Sequence, residues 1–570
     1  ILVSLGLFIF HSDLLQTGNV KPLQGLKVII IAGLPTLCSV FWTLGIIGYM
    51  DYEVTMTVII VGPILLALEV SYGLHITNRY AEEEGTPQEK MAKALSSTGK
   101  AVFLSAITTV IGFISLTFTP MAPIKTVGFA LSGGIIIVYI LTMAMVPNLT
   151  ILLDLKKPKH PPLPIFDAAV AIPLKWNQAV IAIFITLIIL SATWGMSNVD
   201  ENIDLLGMAP EDELAVQKMK QYSSEFNAGQ IGMLLVHGNV TGETCLPANC
   251  DSDATNDDPF EKLKGIDELE RKLNLVEHTT AVSIVFLMKS VGVAVNVSGT
   301  PIWEVINGTP LPEQIKEVGE IIFNRQSDED ATFWNVLMTL EAADNVFGQV
   351  FLLNVFYASL TDETRELFVS KDYKRSLIYV DMPFLPVKET ADSVAQIDEY
   401  AKQPYPGDVY SGRLTGVAAV AIAVNELIVA SQWSSLAFAI ILTLLTLGVV
   451  FRDLRFAIWT TLPVVATVAL QWLVMAQMNV SLSLVTVMIG SILVGVGVDF
   501  SIHIANRIRE LGGGMEAIRI STVSTGMSLF EAATVTTLGL VTAYMIPIPE
   551  IKPFITVIII LLWIAAASAL

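Results

Sequence analysis

Charge is scarce in this sequence and cysteine scarcer still: only 15% of the 570 residues are Asp, Glu, Lys or Arg, and there are 3 Cys. So few charges cannot coat a soluble protein of this length. With 53% hydrophobic side chains and a mean hydropathy of +0.63, the chain reads as a polytopic membrane protein. Three cysteines exclude a disulfide-built scaffold. Cys38 falls in an apolar run, where a small buried hydrophobe is its ordinary role. Cys245 and Cys250 close a short loop, for which a disulfide, if the loop lies outside the cytoplasm, and two free thiols are both open. Chemistry-bearing motifs are missing too. No Gly-rich loop ends in Lys-Ser/Thr, no His/Cys/Asp set has zinc spacing, and Gly512-Gly513-Gly514 lacks the strand and helix of a phosphate cradle. Nothing supports an enzyme, and no cofactor is called for beyond protons as a coupling ion.

Apolar length is what the chain has instead. Runs able to span a bilayer, for which about 20 residues suffice, occupy 27–49, 54–76, 101–119, 124–150, 178–196, 431–451, 455–477, 481–503 and 526–546, with further apolar runs at 1–10 and 552–570. The net charge of -20 belongs to one stretch. Met196 to Ala430 holds 37 acidic and 16 basic residues, leaving 16 acidic and 17 basic elsewhere. This acidic domain argues against nucleic acid as a partner, and solubility alone accounts for its charge. Its patterns run strand (231–237), helix (260–273), strand (279–287), strand (373–382), helix (390–402), strand (409–414). That is a split βαβ, ferredoxin-like unit with a helix-like insertion over 312–368. Sequons at Asn239, Asn296 and Asn307 are usable if the domain faces outward.

Sliding the chain against itself exposes a duplication. At an offset of 428, residues 34–82 match 462–510 without a gap, and the polar set His75, Asn78, Arg79, Glu82 recurs as His503, Asn506, Arg507, Glu510. At an offset of 427 the match continues through Ser97, Thr98, Phe103, Ala106, Thr109, Gly112 and Pro120. Two homologous membrane halves follow. Alternating the spans places 15 of the 17 basic residues outside the acidic domain on one side, which is thereby the cytoplasm. The expected division is a first-repeat bundle at 1–150, a cytoplasmic linker at 151–176, a span at 177–196, an extracytoplasmic domain at 197–430, and a second-repeat bundle at 431–570.

One carboxylate interrupts the run from 481 to 503: Asp499, within Gly495-Val-Gly497-Val-Asp499-Phe500. An ionisable residue at that depth is a functional site by default. A lone carboxylic acid in low dielectric exchanges protons near neutral pH, which neither Asn nor Ser could do. His503, one turn on, shares its helical face and either relays protons or packs, as its counterpart His75 does where the acid position has become Ser71. Arg79 and Arg507 close their helices at the cytoplasmic side, a structural placement. Glu69 is a second mid-membrane acid in the place of Gly497, pointing about 200° away from Ser71. It is either a second proton site or a hydrogen-bonded structural acid. Glu531, Thr536 and Thr537 are candidate partners for Asp499.

Six-span halves, an Asp within the fourth span of a half, and Phe451-Arg-Asp-Leu-Arg455 entering the third together resemble the resistance-nodulation-division superfamily. The likeness is nearest to exporters of hydrophobic and amphiphilic compounds and to mycobacterial lipid exporters, and more distant to the Patched and sterol-sensing group. It implies twelve spans, the first span and first outer domain preceding Ile1, and export driven by the proton-motive force. It further implies an Asp-Tyr pair in each half, each Asp meeting the opposite Tyr. Here those positions read Asp499-Phe500 and Ser71-Tyr72, so one cross-pair, Asp499 with Tyr72, is expected within hydrogen-bonding reach. The implied partners are the lipid bilayer and a hydrophobic or amphiphilic substrate, with a homo-oligomer left open. A non-transporting lipid- or sterol-sensing protein and an accessory factor in protein translocation are the competing classes.

Overall fold

Inside a bilayer no water satisfies the backbone, so an apolar segment must close its own hydrogen bonds as helix. A computed structural model describes residues 1–12, 20–52, 55, 57–156, 172–173, 175–199, 213–237, 240, 259–293, 296–297, 300–301, 310–325 and 332–570. Among the described residues, ten helices are long and apolar enough to cross a membrane. The protein is a multi-pass membrane protein. Cys245, Cys250, Asn239 and Asn307 lie outside the described residues.

The chain forms two units, one of residues 1–211 with 425–570 and the other of 212–424. In the first, α1 (Leu2–His11), α2 (Pro22–Tyr49), α3 (Val61–Glu82), α4 (Pro87–Ile114) and α5 (Ala122–Leu152) make one bundle, and α6 (Asn177–Leu190) follows. Thr86 and Glu89 cap α4 reciprocally, with Pro87 in its first turn, so this helix starts where the sequence turns polar.

The second unit has α7 (Leu214–Phe226), α8 (Pro259–Leu273), α9 (Ile284–Ser290), α10 (Glu313–Arg325), α11 (Phe333–Ala342), α12 (Val346–Ser359), α13 (Asp362–Phe368) and α14 (Val387–Ala401). Its strands β1 (Gln230–His237), β2 (Thr280–Val282), β5 (Arg375–Met382) and β6 (Tyr410–Ser411) lie in the order β2-β5-β1-β6, all antiparallel, while β3 (Asn296–Val297) and β4 (Thr300–Pro301) form a separate hairpin. That order is the split βαβ arrangement expected from the pattern. β1 and β5 pair along their length, from Gln230 opposite Met382 to His237 opposite Arg375. Leu234, Val236, Ile378 and Val380 are fully buried, as are Leu263, Ile266 and Leu269 of α8. The expected strand over 279–287 is overturned in its second half. Ser283 Oγ accepts from Val285 N at 3.0 Å and starts α9, while buried Glu270 accepts from Ser283 N at 2.9 Å, so a cap ends the strand at Val282. The expected strand over 409–414 is shorter too, with β6 at 410–411 and β7 at Thr415–Gly416.

Completing the first unit are α15 (Val417–Phe451, of which 425–451 belong here), α16 (Leu454–Ala469), α17 (Gln471–Gln477), α18 (Ile489–Glu510), α19 (Met515–Val541) and α20 (Ile551–Ala569). Gly512, Gly513 and Gly514 take φ of 83°, 78° and 90°, a left-handed run that reverses the chain between α18 and α19 and explains the triplet.

Candidate functional site

Small residues bring the two halves together. A Cβ on Gly112 of α4 would lie 2.6 Å from Gly495 Cα of α18, and one on Gly539 of α19 would lie 2.6 Å from Ala67 Cα of α3. Gly112 and Gly539 are repeat equivalents, as are Gly495 and Ala67. The crossing of α4 on α18 is thus repeated as α19 on α3, the reciprocal pattern of a two-fold relation. Thr109 Oγ1 ties the first crossing by donating to Gly495 O at 2.9 Å. Close backbone approach of this kind is how membrane helices gain packing energy without a hydrophobic drive. Gly497, facing Val464 and Ala565, leaves room for α16 and α20 on the other side.

Asp499 sits one turn beyond Gly495, buried, with Oδ1 3.2 Å from His503 Nε2. His503 stacks on His75 with ring centroids 4.0 Å apart, so the repeat-equivalent histidines meet face to face. A cavity of about 20 Å³ is lined by Asp499 with Ser71, Phe500 with Tyr72, Val496 with Leu68, and Thr536 with Thr109, four repeat-equivalent pairs, together with Ala532. Tyr72 therefore shares a cavity with Asp499 across the two-fold, and no direct hydrogen bond joins them among the described residues. Ser105 and Thr109 lie beside its phenol. Ser71 Oγ donates to Leu68 O at 2.7 Å, spending its hydroxyl on its own helix.

A second cavity, about 70 Å³, is lined entirely by repeat-equivalent pairs: His75 and His503, Asn78 and Asn506, Arg79 and Arg507, Glu82 and Glu510, Thr98 and Thr525, Ala101 and Ser528. Arg79 pairs with Glu82 at 3.1 Å and Glu83 at 2.8 Å, and Arg507 with Glu510 at 3.1 Å. Asn506 Nδ2 donates to Glu510 Oε1 at 3.1 Å. The arginines thus brace a polar vestibule whose inner end is the histidine pair.

Other expected partners lie elsewhere. Thr537 donates to Ala533 O and accepts from Trp563 Nε1 at 3.0 Å, facing α20 and not Asp499. Glu531 meets Asn78 Nδ2 at 2.7 Å and His11 Nε2 at 3.1 Å, again not Asp499. Glu69 is wholly buried beside Ser39 of α2, whose hydroxyl donates to Gly134 O at 3.1 Å, so it faces away from the Asp499 cavity. Residues the sequence reading passed over are Ser105, Ser528 and His11. The offset of 427 was a signal for Ser528, since it places that residue opposite Ala101.

Although the sequence has no zinc spacing, the fold brings one donor atom each of His75, Asp499 and His503 within 4.8 Å of one another. Rings stacked 29° from parallel set their nitrogen lone pairs side by side instead of converging on one point, which suits proton sharing better than tetrahedral coordination.

Comparison with known proteins places this architecture. The fold is shared with SecDF, a translocon-associated membrane protein from Thermus thermophilus, at 12% identity and a TM-score of 0.53 over 100% of this chain and 60% of that one. SecDF in its super-membrane-facing form gives 13% identity and 0.51, over 99% and 59%. A protein of Methanocaldococcus jannaschii described as a membrane protein is 32% identical over 135 residues, which are 23% of this chain and 34% of that protein. The match thus spans about a third of that relative's length. The MMPL family profile matches residues 25–162 and 324–568, well over half of the sequence and including every helix that lines the Asp499 cavity. The chain belongs to the MMPL family, within the resistance-nodulation-division superfamily.

Proposed function

We propose that the protein is a proton-driven exporter of hydrophobic or amphiphilic molecules, lipids among them, working in the cytoplasmic membrane with residues 212–424 on the outer side. One observation carries the reading: the buried carboxylate of Asp499 lies at the reciprocal crossing of the two halves, joined through stacked histidines to a polar vestibule. Protonation neutralises the carboxylate and removes its attraction for His503, and the crossing helices are what such a change can move. Tyr72, Thr109 and Thr536 hold polar groups around Asp499, and Phe500 keeps the far wall apolar. An apolar recess of about 50 Å³ between α2 and α5, lined by Ile46, Ile47, Phe129 and Ile137 among others, offers room for the end of an acyl chain.

The test is export of a fluorescent amphiphile by proteoliposomes carrying an imposed pH gradient. Export that collapses with the gradient supports the reading, and export that persists without it contradicts it. A second reading, an accessory role in protein translocation, draws on the shared fold with a translocon-associated protein. Stimulation of preprotein export with no effect on amphiphile movement would favour that reading.

A further inference from the structure

The acid position of the first half is Ser71, and its hydroxyl is spent on its own helix. A different acid is buried nearby. Glu531 of α19 is 4% exposed and His11, at the end of α1, is 3% exposed, with His11 Nε2 3.1 Å from Glu531 Oε1. His11 Nδ1 lies 2.9 Å from Leu7 O, and because a carbonyl only accepts, Nδ1 must carry its proton. Nε2 is then the nitrogen without a proton in the neutral ring. Two bare acceptors cannot face each other in a dry site at this distance, so one proton has to lie on Nε2 or on Oε1. Asn78 Nδ2 donates to the other oxygen, Oε2, at 2.7 Å.

This construction repeats that of Asp499 and His503, where an acid oxygen meets a histidine Nε2 at 3.2 Å. The two are connected. Asn78 Nδ2 also donates to Ser528 Oγ at 3.1 Å, Ser528 Oγ lies 3.2 Å from His75 Nδ1, and His75 stacks on His503. We propose that His11 and Glu531 form a second proton-binding site, linked to Asp499 through Asn78, Ser528 and His75, so that the half that has Ser71 draws its titrating acid from α19. The proposal rests on the proton-coupled reading above.

The proton balance is simple. With its shared proton the pair is neutral, as imidazolium with carboxylate or imidazole with carboxylic acid. Release leaves a net charge of minus one, and rebinding restores neutrality. Asn78 and Ser528 line the 70 Å³ cavity, which gives the released proton its exit. Among the described residues, the titratable groups that communicate with the pair include His75 on α3 and, behind it, His503 and Asp499 on α18. Just before α2, Lys21 donates its backbone N–H to Ser12 O at 2.7 Å, and on α2 Lys27 is held by Asp154 O. On α19 itself, Glu516 and Arg519 stand at its start, and α20 offers only Lys552, near its first residue.

With only 6 His in the sequence, the full chain labelled with [15N]histidine and reconstituted in lipid resolves the question by NMR. The His11 Nε2 signal, assigned by its loss in His11→Ala, should shift over the pH range in which proton flux rises, as the shared proton leaves either the ring or the carboxylic acid hydrogen-bonded to it. Glu531→Gln should abolish that change. If Glu531→Gln does not insert, Glu531→Asp should shift the midpoint, since it draws the carboxylate back by one methylene. A His11 Nε2 signal that does not move with pH, or one that shifts identically in Glu531→Gln or Glu531→Asp, overturns the proposal. Failure of the proton-coupled reading would show separately, as full proton flux in Asp499→Asn.

Discussion

Substituting Gly112 by Ala puts the helix crossing to a direct test. The new Cβ would stand 2.6 Å from Gly495 Cα, 2.7 Å from Gly495 N and 3.0 Å from Ser491 O, all of them backbone atoms that no rotamer change can clear. Restoring ordinary contact requires α4 and α18 to part by about 1 Å, an overpacking change that costs about 1 to 3 kcal/mol. Alanine returns about 1 kcal/mol through helix propensity, leaving a net loss of up to about 2 kcal/mol. Because Gly495 lies one turn from Asp499, the displacement reaches the carboxylate, and a shift of about 1 Å at a reacting group can cost about a hundredfold in rate. Proton flux in Gly112→Ala should therefore fall by about tenfold to a hundredfold, with a lower unfolding midpoint in detergent. Gly33→Ala is the control, since nothing lies within 4 Å of its Cβ position, and it should match or slightly exceed wild type. Equal behaviour of the two variants would refute the close-crossing argument.

Tyr72→Phe should displace the pH profile of proton flux, because it removes the phenol that shares a cavity with Asp499. Ser71→Ala should leave that profile unchanged, its hydroxyl being bonded to Leu68 O, and matching shifts from both would remove Tyr72 from the site. In the second unit, Ser283→Ala removes the α9 cap and the side-chain hydroxyl that donates to Glu270 Oε2, for an expected loss of about 1 to 2 kcal/mol by denaturant unfolding. Glu270 titrates above the ordinary carboxylate range, chiefly because burial disfavours its charge. The folded form then holds its proton more tightly than the unfolded, so stability from this group falls as pH rises from the ordinary carboxylate value through the raised one. Glu270→Gln should flatten that slope, and an unchanged slope would contradict the assignment.

Hydropathy made the spans readable, because a bilayer allows an apolar run little choice but helix, and the split βαβ order followed from alternation and spacing. The repeat went further. Its two offsets pair the residues that line both cavities, from His75 with His503 to Thr109 with Thr536. What stayed hidden depends on contacts without a repeat counterpart or a local pattern. His11 and Glu531 are 520 residues apart by number, and nothing in either helix announces the other. The β2 strand ends at a serine cap that reads as an ordinary polar position within an apolar alternation. Thr537 looked equivalent to Thr536 by depth, but their 100° separation around α19 sends one to Trp563 and the other to the Asp499 cavity.

Proton flux through purified full-length protein in proteoliposomes, wild type against Asp499→Asn, tests the central claim most directly. The substitution is nearly isosteric and removes only titration, so the variant should insert and fold normally while substrate-dependent flux falls to the level of empty liposomes. Flux at the wild-type rate in a correctly inserted Asp499→Asn variant would contradict the assignment of Asp499 as the coupling site.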